Sequence, residues 1–260
     1  MNLSLKLSLA ATLALAAASP ALAAGEKSTA TLYGGYYAAD NGYEDRMVIG
    51  SFVDLYQGAN GFHLDSAYVN REQNAAFGAV GYSRQLGDKV RAKVMVGTST
   101  DNDNILPELF LSGSLQFKPA NGLIVIPSVT HRQYRTGGKE TAPAVQVAKY
   151  FNISGDKGGY YVAQADGGLS FNSSEDTGWS LGAGLTSVRK SGLTFGASAR
   201  VGYMSYDSVL GTGVRSDIYG VSASIGHRVG KGAEVYLRGD VSKTDFFTVS
   251  GAMIGLKFAL

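Results

Sequence analysis

The 260-residue sequence contains no cysteine, only five prolines and few charged residues. Without cysteine, disulfide bonds cannot hold the chain together, so hydrogen bonding and burial must stabilise it. Charged residues make up 17% of the chain, below the share of about a quarter that is usual in soluble domains. The formal net charge is only +2, and such a weak overall field excludes nucleic acid as an expected partner.

Long apolar runs are also missing, except at the N-terminus. There Lys6 precedes an apolar segment at 7–18, and a small–x–small pattern follows at 21–23. We therefore predict a cleaved signal peptide at 1–23 and a mature chain over 24–260. No later segment has 18 apolar residues in a row, so the mature chain is expected to lack a membrane-spanning helix.

The sequence is rich in glycine (35) and tyrosine (15), and its apolar residues recur at every second position from Thr29 onward. This is the period of a β-strand. At 90–96 the apolar residues alternate with Arg91, Lys93 and Met95, and the same alternation is clear at 109–117, 179–185 and 193–203. One face of each segment is apolar, and the other is small, polar or charged. The fold class is therefore predicted to be all-β.

Applied to the whole chain, this rule predicts about fourteen strands. They lie near residues 29–38, 46–56, 61–70, 75–86, 89–98, 108–118, 122–134, 142–151, 159–171, 177–188, 192–205, 215–228, 232–242 and 248–260. Strands of about 9–11 residues cross a bilayer when they are tilted. The connections alternate between longer polar loops and tight turns rich in Gly or Asn, as in transmembrane barrels. We therefore predict a single antiparallel transmembrane β-barrel of about 12–14 strands over 24–260.

The last strand carries a more specific pattern. Gly255, Phe258 and Leu260 have the spacing of the C-terminal signal that the outer-membrane barrel-assembly machinery recognises, although Leu260 stands where that signal usually has an aromatic residue. With the signal peptide and the strand rhythm, the chain resembles Gram-negative outer-membrane β-barrels. It is similar to small porins and oligosaccharide channels, and to the YaiO-like barrels that accompany exopolysaccharide export.

This resemblance implies a location in the cell outer membrane. It also implies four kinds of partner: outer-membrane lipid, the barrel-assembly machinery, periplasmic chaperones, and polysaccharide or small anionic solutes. No cofactor is expected, and no His, Asp and Glu cluster has the spacing of a metal site.

An enzymatic role would need a convergent catalytic set, and the chain has three histidines, His63, His131 and His227. His63 and Asp65 lie two residues apart on one predicted strand, so they share a face and can form a hydrogen bond. An imidazole beside a carboxylate begins a catalytic dyad, but a polar barrel interior contains such pairs by default. Because nothing marks a nucleophile, we predict that the protein is not an enzyme.

Charged residues on the lumen face are more informative. The candidates for lining a pore are Arg91, Lys93, Arg200, Arg228, Glu234, Arg238, Asp240 and Lys257. They can form a self-neutralising ladder that stiffens the wall, or a cationic track that selects anions.

The leading hypothesis is a narrow channel or export conduit for small polar solutes, anionic or saccharide. In it Arg91, Lys93, Arg200, Arg228 and Arg238 are electrostatic guides. The alternatives are an enzyme that modifies lipid or the cell envelope, and a structural or adhesive barrel with a plugged lumen. In that last case, loops 39–46, 98–107 and 205–215 would form its outer surface.

Overall fold

The computed structural model describes residues 27–42, 44–70, 74–101, 106–153, 158–173, 176–207, 213–230 and 232–260. The predicted signal peptide therefore lies outside the described residues. In the described parts of the chain, no helix is long and apolar enough to span a membrane.

Within these described ranges, fourteen antiparallel strands form one closed barrel, in which each strand pairs with its neighbours in sequence and the first pairs with the last. Each observed strand overlaps one predicted strand, which confirms the all-β barrel at the higher predicted strand number. The strands are β1 (Thr29–Ala39), β2 (Arg46–Gln57), β3 (Asn60–Asn70), β4 (Ala75–Gln85), β5 (Val90–Ser99), β6 (Leu109–Ala120), β7 (Leu123–Gln133), β8 (Lys139–Ile153), β9 (Gly159–Asn172), β10 (Thr177–Arg189), β11 (Leu193–Asp207), β12 (Gly213–Val229), β13 (Ala233–Thr244) and β14 (Thr248–Ala259).

The outer face of the barrel is apolar and uncovered. Successive side chains of a strand point to opposite faces of the wall. Leu181 and Ile254 point outward and are 57% and 60% exposed, whereas the lumen-facing Val162 is 1% exposed. A soluble barrel would expose its polar face instead. A wall that crosses hydrocarbon needs an apolar outer face and paired backbone N–H and C=O groups. This wall meets both requirements, because closure of the barrel pairs the backbone groups of neighbouring strands.

The pairing register sets the width of the barrel. One irregularity, a bulge between Phe117 and Ala120, interrupts the β6–β7 ladder. We followed directly opposite residues from strand to strand once round the barrel, using the β6–β7 register before the bulge. This path returns to β1 fourteen residues away from the residue at which it began, which is the shear number of the barrel. A shear number equal to the strand number corresponds to a strand tilt of about 36°. With strands about 4.8 Å apart, the backbone radius is roughly 13 Å.

The two ends of the barrel differ in their connections. Short turns, such as 58–59, 121–122 and 190–192, lie at one end and longer loops at the other. Each of these turns contains a glycine in the left-handed region, as Gly122 and Gly192 show with φ angles of +67° and +88°. In outer-membrane barrels the short turns are periplasmic and the longer loops extracellular. This rule orients the protein.

Tyrosine rings lie over glycines on the facing strand at four places in the lumen. The cross-strand pairs are Tyr33–Gly50, Tyr37–Gly251, Tyr56–Gly61 and Tyr236–Gly255. A methyl group on any of these glycines would overlap the opposite ring. Glycine therefore makes room for an aromatic ring against the backbone, and all four pairs lie on β13, β14 and β1–β3.

Candidate functional site: the barrel lumen

The lumen holds a cavity of about 640 Å³ along the barrel axis. Its lining extends from Lys27 and Thr29 at the periplasmic end to Leu106 and Tyr134 beneath the extracellular loops. Side chains from all fourteen strands contribute to it, which follows from the alternation of lumen-facing and lipid-facing residues. This cavity is the candidate functional site.

On β13, β14 and β1–β5, which we call the charged wall, the central feature is a hydrogen-bonded chain across four strands. His63 Nδ1 lies 2.6 Å from Asp54 Oδ1, and His63 Nε2 lies 2.9 Å from Ser83 Oγ. Arg91 donates a hydrogen bond of 3.2 Å to the same Ser83 oxygen, and its guanidinium lies over the ring of Tyr56. The chain cross-links β2, β3, β4 and β5 near the periplasmic end.

The structure corrects the partner of His63. His63 and Asp65 share the lumen face, but both ring nitrogens of His63 bond to residues on neighbouring strands, Asp54 and Ser83. The reason is the antiparallel register, which places Asp54 directly opposite His63. Because Cβ atoms that are directly opposite are closer than those two residues apart on one strand, the cross-strand carboxylate takes the imidazole.

The order serine–histidine–aspartate matches the catalytic triad of a hydrolase. The surroundings of Ser83, however, are not those of a catalytic nucleophile. Ser83 is 1% exposed, and a methyl group on Gly61 would overlap its hydroxyl, so the serine is packed against the β3 backbone. Its oxygen also accepts from Arg91. A nucleophile must reach a carbonyl carbon at bonding distance. This serine is enclosed instead. The hydrogen-bonded series Asp54–His63–Ser83–Arg91 therefore acts as a structural cross-link.

The eight predicted pore-lining residues fall into three groups. Five contribute directly to the cavity lining: Arg91, Lys93, Glu234, Arg238 and Lys257. Arg200 and Asp240 are on the lumen face but are engaged in ion pairs. Arg228 is exposed at the periplasmic end of β12, beside the 190–192 turn.

Most of these charges face an opposite charge. Arg200 donates to Asp166 across the intervening strand β10 at 2.7 Å, and Arg238 donates to Asp240 at 2.7 Å. Glu234 lies directly opposite Lys257 in the β13–β14 ladder. Lumen acids therefore offset much of the cationic charge that the sequence suggested. The arrangement is closer to the self-neutralising ladder than to an uncompensated cationic track.

The opposite side of the lumen, β6–β12, is lined mainly by hydroxyl and amide groups, and we call it the hydroxyl wall. Its cavity-lining residues include Ser112, Ser114, Gln116, Ser128, Thr130, Gln146, Gln164, Thr186, Thr194, Ser198, Ser222 and Ser224. Glycines such as Gly184 and Gly196 lie between them. Apart from the pairs Arg200–Asp166 and Arg132–Glu140 and Arg228 at the periplasmic end of β12, the middle of its described lumen face is uncharged. This wall presents small uncharged polar groups to the cavity.

Part of the β5–β6 connection turns into the extracellular half of the lumen. The backbone N–H of Leu106 donates to the carboxylate of Asp101, and Leu106 and Pro107 contribute to the cavity lining. Leu106 packs within an apolar cluster formed by Tyr33, Tyr37, Val48, Val69, Ala75, Phe247, Val249 and Met253. The charged wall is therefore packed tight at this level.

Tyr134, just beyond β7, contributes to the cavity lining at the extracellular end. Burial raises the pKa of Tyr134 to about 12, and the nearby Glu140 carboxylate adds to the effect. The phenol therefore stays neutral at physiological pH.

Sequence reasoning missed the lumen acids Asp54, Asp166 and Glu140. Strand β9 alternates less cleanly than β10 and β11, so the facing of its charge cannot be predicted, and the sequence pattern does not single out the acids of β2 and β8. A usable signal existed for Asp54, since counting back from the tight turn at 58–59 puts it opposite His63. No such short-range signal marks Asp166, because its partner Arg200 is two strands away.

Comparison with known proteins supports the architecture. The sequence matches no known family model, and no curated protein matches it. Among solved structures, outer membrane protein Omp33 of Acinetobacter baumannii is similar, with 12% identity, a TM-score of 0.54 and coverage of 90% of this chain and 99% of that one. A monoaromatic hydrocarbon channel, CymD, has 6% identity, a TM-score of 0.58 and coverage of 90% and 88%. A bacterial polysaccharide outer membrane secretin has 5% identity, a TM-score of 0.56 and coverage of 90% and 98%.

At such low identities the likeness concerns the fold. Together with the exposed apolar outer face and the closed fourteen-stranded wall, it defines the class. The protein has the fold of outer-membrane β-barrels of the size of small porins.

Proposed function

We propose that the protein is a passive channel or export conduit that lets small polar solutes cross the outer membrane. The observation that carries the proposal is the cavity of about 640 Å³ along the barrel axis, lined on one side by hydroxyl and amide groups. Barrels of about eight strands are filled by side chains, and those of 16–18 strands leave an open channel. Fourteen strands with one wall of small residues are suited to a narrow pore.

The lining favours a hydrophilic solute. One similar barrel is a hydrocarbon channel and another a polysaccharide secretin, so the fold serves both kinds of cargo. Here hydroxyl and amide groups can exchange hydrogen bonds with the hydroxyls of a saccharide or the water around a small anion. The basic residues Arg91 and Lys93 stand in the cavity lining as electrostatic guides. In this proposal Arg200 and Arg238 have weaker effects because they are paired with Asp166 and Asp240, and Arg228 acts at the periplasmic mouth.

The test is ion conductance of the refolded mature chain in a planar lipid bilayer. We expect stable unitary steps and a reversal potential in a salt gradient that shows a mild preference for anions. Folding is verified separately by the strand signature in circular dichroism. Protein that is folded but never conducts would refute the proposal.

The guide residues are tested by the double variant Arg91→Gln, Lys93→Gln. Removing two lumen charges should shift the reversal potential towards zero, because charge in the lumen sets ion preference. The matched control is Arg84→Gln, Lys149→Gln, which removes two basic groups from the lipid-facing side of the wall. Equal reversal potentials in the two variants would exclude a guiding role for Arg91 and Lys93.

A further inference from the structure

The two rims of the barrel carry opposite charge. In the described residues, the basic side chains at the periplasmic end are Lys27, Arg84, Lys89, Lys118, Lys149, Arg189, Lys190 and Arg228. The acidic ones set against them are Asp88 outside the lumen and Glu234, which lies opposite Arg228 on the lumen face. Lys149 lies within β8, a few residues before that strand ends. It is counted at the periplasmic end because its Nζ donates to the carbonyl of Asn121 in the β6–β7 turn.

Acidic groups predominate at the extracellular end. Outside the lumen, the described acidic residues there include Asp40, Glu44, Asp45, Glu108, Asp176, Asp217 and Asp245, and the described basic ones are Arg135, Lys139, Arg215 and Lys243. Two of the four basic residues are already paired with acids, Arg215 with Asp176 and Arg135 with Glu108. The barrel is therefore polarised along its axis, positive at the periplasmic end and negative outside.

Part of the periplasmic charge encircles the mouth of the cavity. Lys27 precedes β1 and contributes to the cavity lining, and Lys89 lies in the β4–β5 turn. Lys190 lies in the β10–β11 turn, and Arg228 ends β12 beside that turn. We call these four residues the periplasmic ring. The Debye length at 0.1 M salt is about 10 Å, close to the barrel radius of roughly 13 Å. The fields of the ring residues therefore overlap across the mouth.

The lumen itself supplies little competing field, because its charges are largely paired. Arg238 and Arg200 bond to Asp240 and Asp166, and Lys257 faces Glu234. A mouth lined by charge of one sign raises the local concentration of the opposite sign and the rate of capture. The charges at the two rims, more than those in the interior, therefore determine from which end an ion enters the channel faster.

We infer that the periplasmic ring is an electrostatic funnel that loads anionic solutes into the channel from the periplasmic side. The inference rests on the proposed channel function and adds a direction to it. Anions are captured faster from the periplasm than from outside, and the acidic extracellular rim repels them. Cations show the opposite sidedness.

The experiment measures how fast a charged blocker enters a single channel from each side. Orientation is read with Ala59→Cys, which gives the cysteine-free chain one thiol in a periplasmic turn for a membrane-impermeant reagent. The anionic probe is inorganic tripolyphosphate, and the cationic probe is spermidine. At low salt we expect tripolyphosphate to enter about tenfold faster from the periplasmic side and spermidine to enter faster from outside. In 1 M salt, where the Debye length is about 3 Å, both differences should vanish.

The ring is tested by the double variant Lys89→Glu, Lys190→Glu, and the matched control is Lys139→Glu, Lys243→Glu. All four lysines are exposed, and each variant changes the charge equally, at opposite ends. The ring variant should abolish the periplasmic preference of tripolyphosphate. The control should leave it intact or enlarge it.

Three outcomes overturn the inference. A conducting channel that tripolyphosphate enters equally from both sides overturns the funnel and leaves the channel standing. A ring variant that keeps the wild-type preference, while changing only how the protein binds vesicles of anionic phospholipid, reassigns the ring to lipid contact. A folded protein without conductance overturns both the funnel and the channel.

Discussion

The charged wall and the hydroxyl wall are made from the same kind of strand but do different work. The charged wall packs tyrosines over glycines, holds the chain Asp54–His63–Ser83–Arg91 and seats Leu106 in an apolar cluster. The hydroxyl wall lines the cavity with serine, threonine, glutamine and glycine, and its buried apolar cluster of Ile124, Ala148 and Val162 is smaller. The difference teaches that a barrel of intermediate width can be filled mostly from one side. The larger buried cluster then lies in one half, and the other half offers mainly small polar side chains to the cavity.

The largest expected effect comes from breaking a tyrosine–glycine contact in the charged wall. In Gly50→Val the new side chain would overlap Tyr33 and the carbonyl of Ser66, so we expect a loss of about 3 kcal/mol in the free energy of unfolding. The matched control is Gly113→Val, since a Cβ on this lipid-facing glycine meets nothing within 4 Å. Urea unfolding in detergent measures both. Equal stabilities would show that the charged wall is not a packed core.

A smaller effect is expected from cutting the histidine cross-link. His63→Ala leaves Ser83 and Asp54 without a shared partner, and Asp54 is 37% exposed and can turn to water. We therefore expect a loss of about 1–2 kcal/mol on unfolding in detergent. The exposed His227, changed to Ala, should cost less than about 0.5 kcal/mol.

The same cross-link separates the structural from the enzymatic interpretation. Because Ser83 is enclosed, a fluorophosphonate reagent should leave it unmodified in the folded barrel, as mass spectrometry of the intact chain would show. Modification of Ser83 that disappears in His63→Ala would establish an activated nucleophile and reverse this assignment.

The smallest expected effect is on conductance, from adding bulk to the hydroxyl wall. Gln146→Trp places an indole in the cavity lining, and we expect unitary conductance to fall to roughly half, because pore diameter limits flux. Val145→Trp puts the same side chain on the lipid face, where Val145 is exposed, and should leave conductance unchanged. An undiminished current in Gln146→Trp would mean that solutes do not pass along this wall.

Much of this architecture could be predicted from the sequence. Alternation alone located the fourteen strands, because one face meets lipid and the other the lumen, and the facing of Arg91 and Lys93 follows from it. The partner of His63 could not be read from alternation, since it depends on register across a hairpin. The inward turn at Leu106 also left no periodic signal, because loop packing depends on side chains from distant strands. The signal peptide, the assembly signal and the protein partners stay predictions.

The closure of the barrel has a consequence for how the chain must form. Strands β1 and β14 pair over eleven residues, from Thr29 opposite Ala259 to Ala39 opposite Val249. This seam joins the two most distant parts of the sequence, so the loop-closure entropy it must overcome is the largest in the molecule. Until the final strand arrives, β1 remains an open edge that any extended chain could pair with. Folding is therefore expected to finish at the seam, and unwanted association is most dangerous just before it closes.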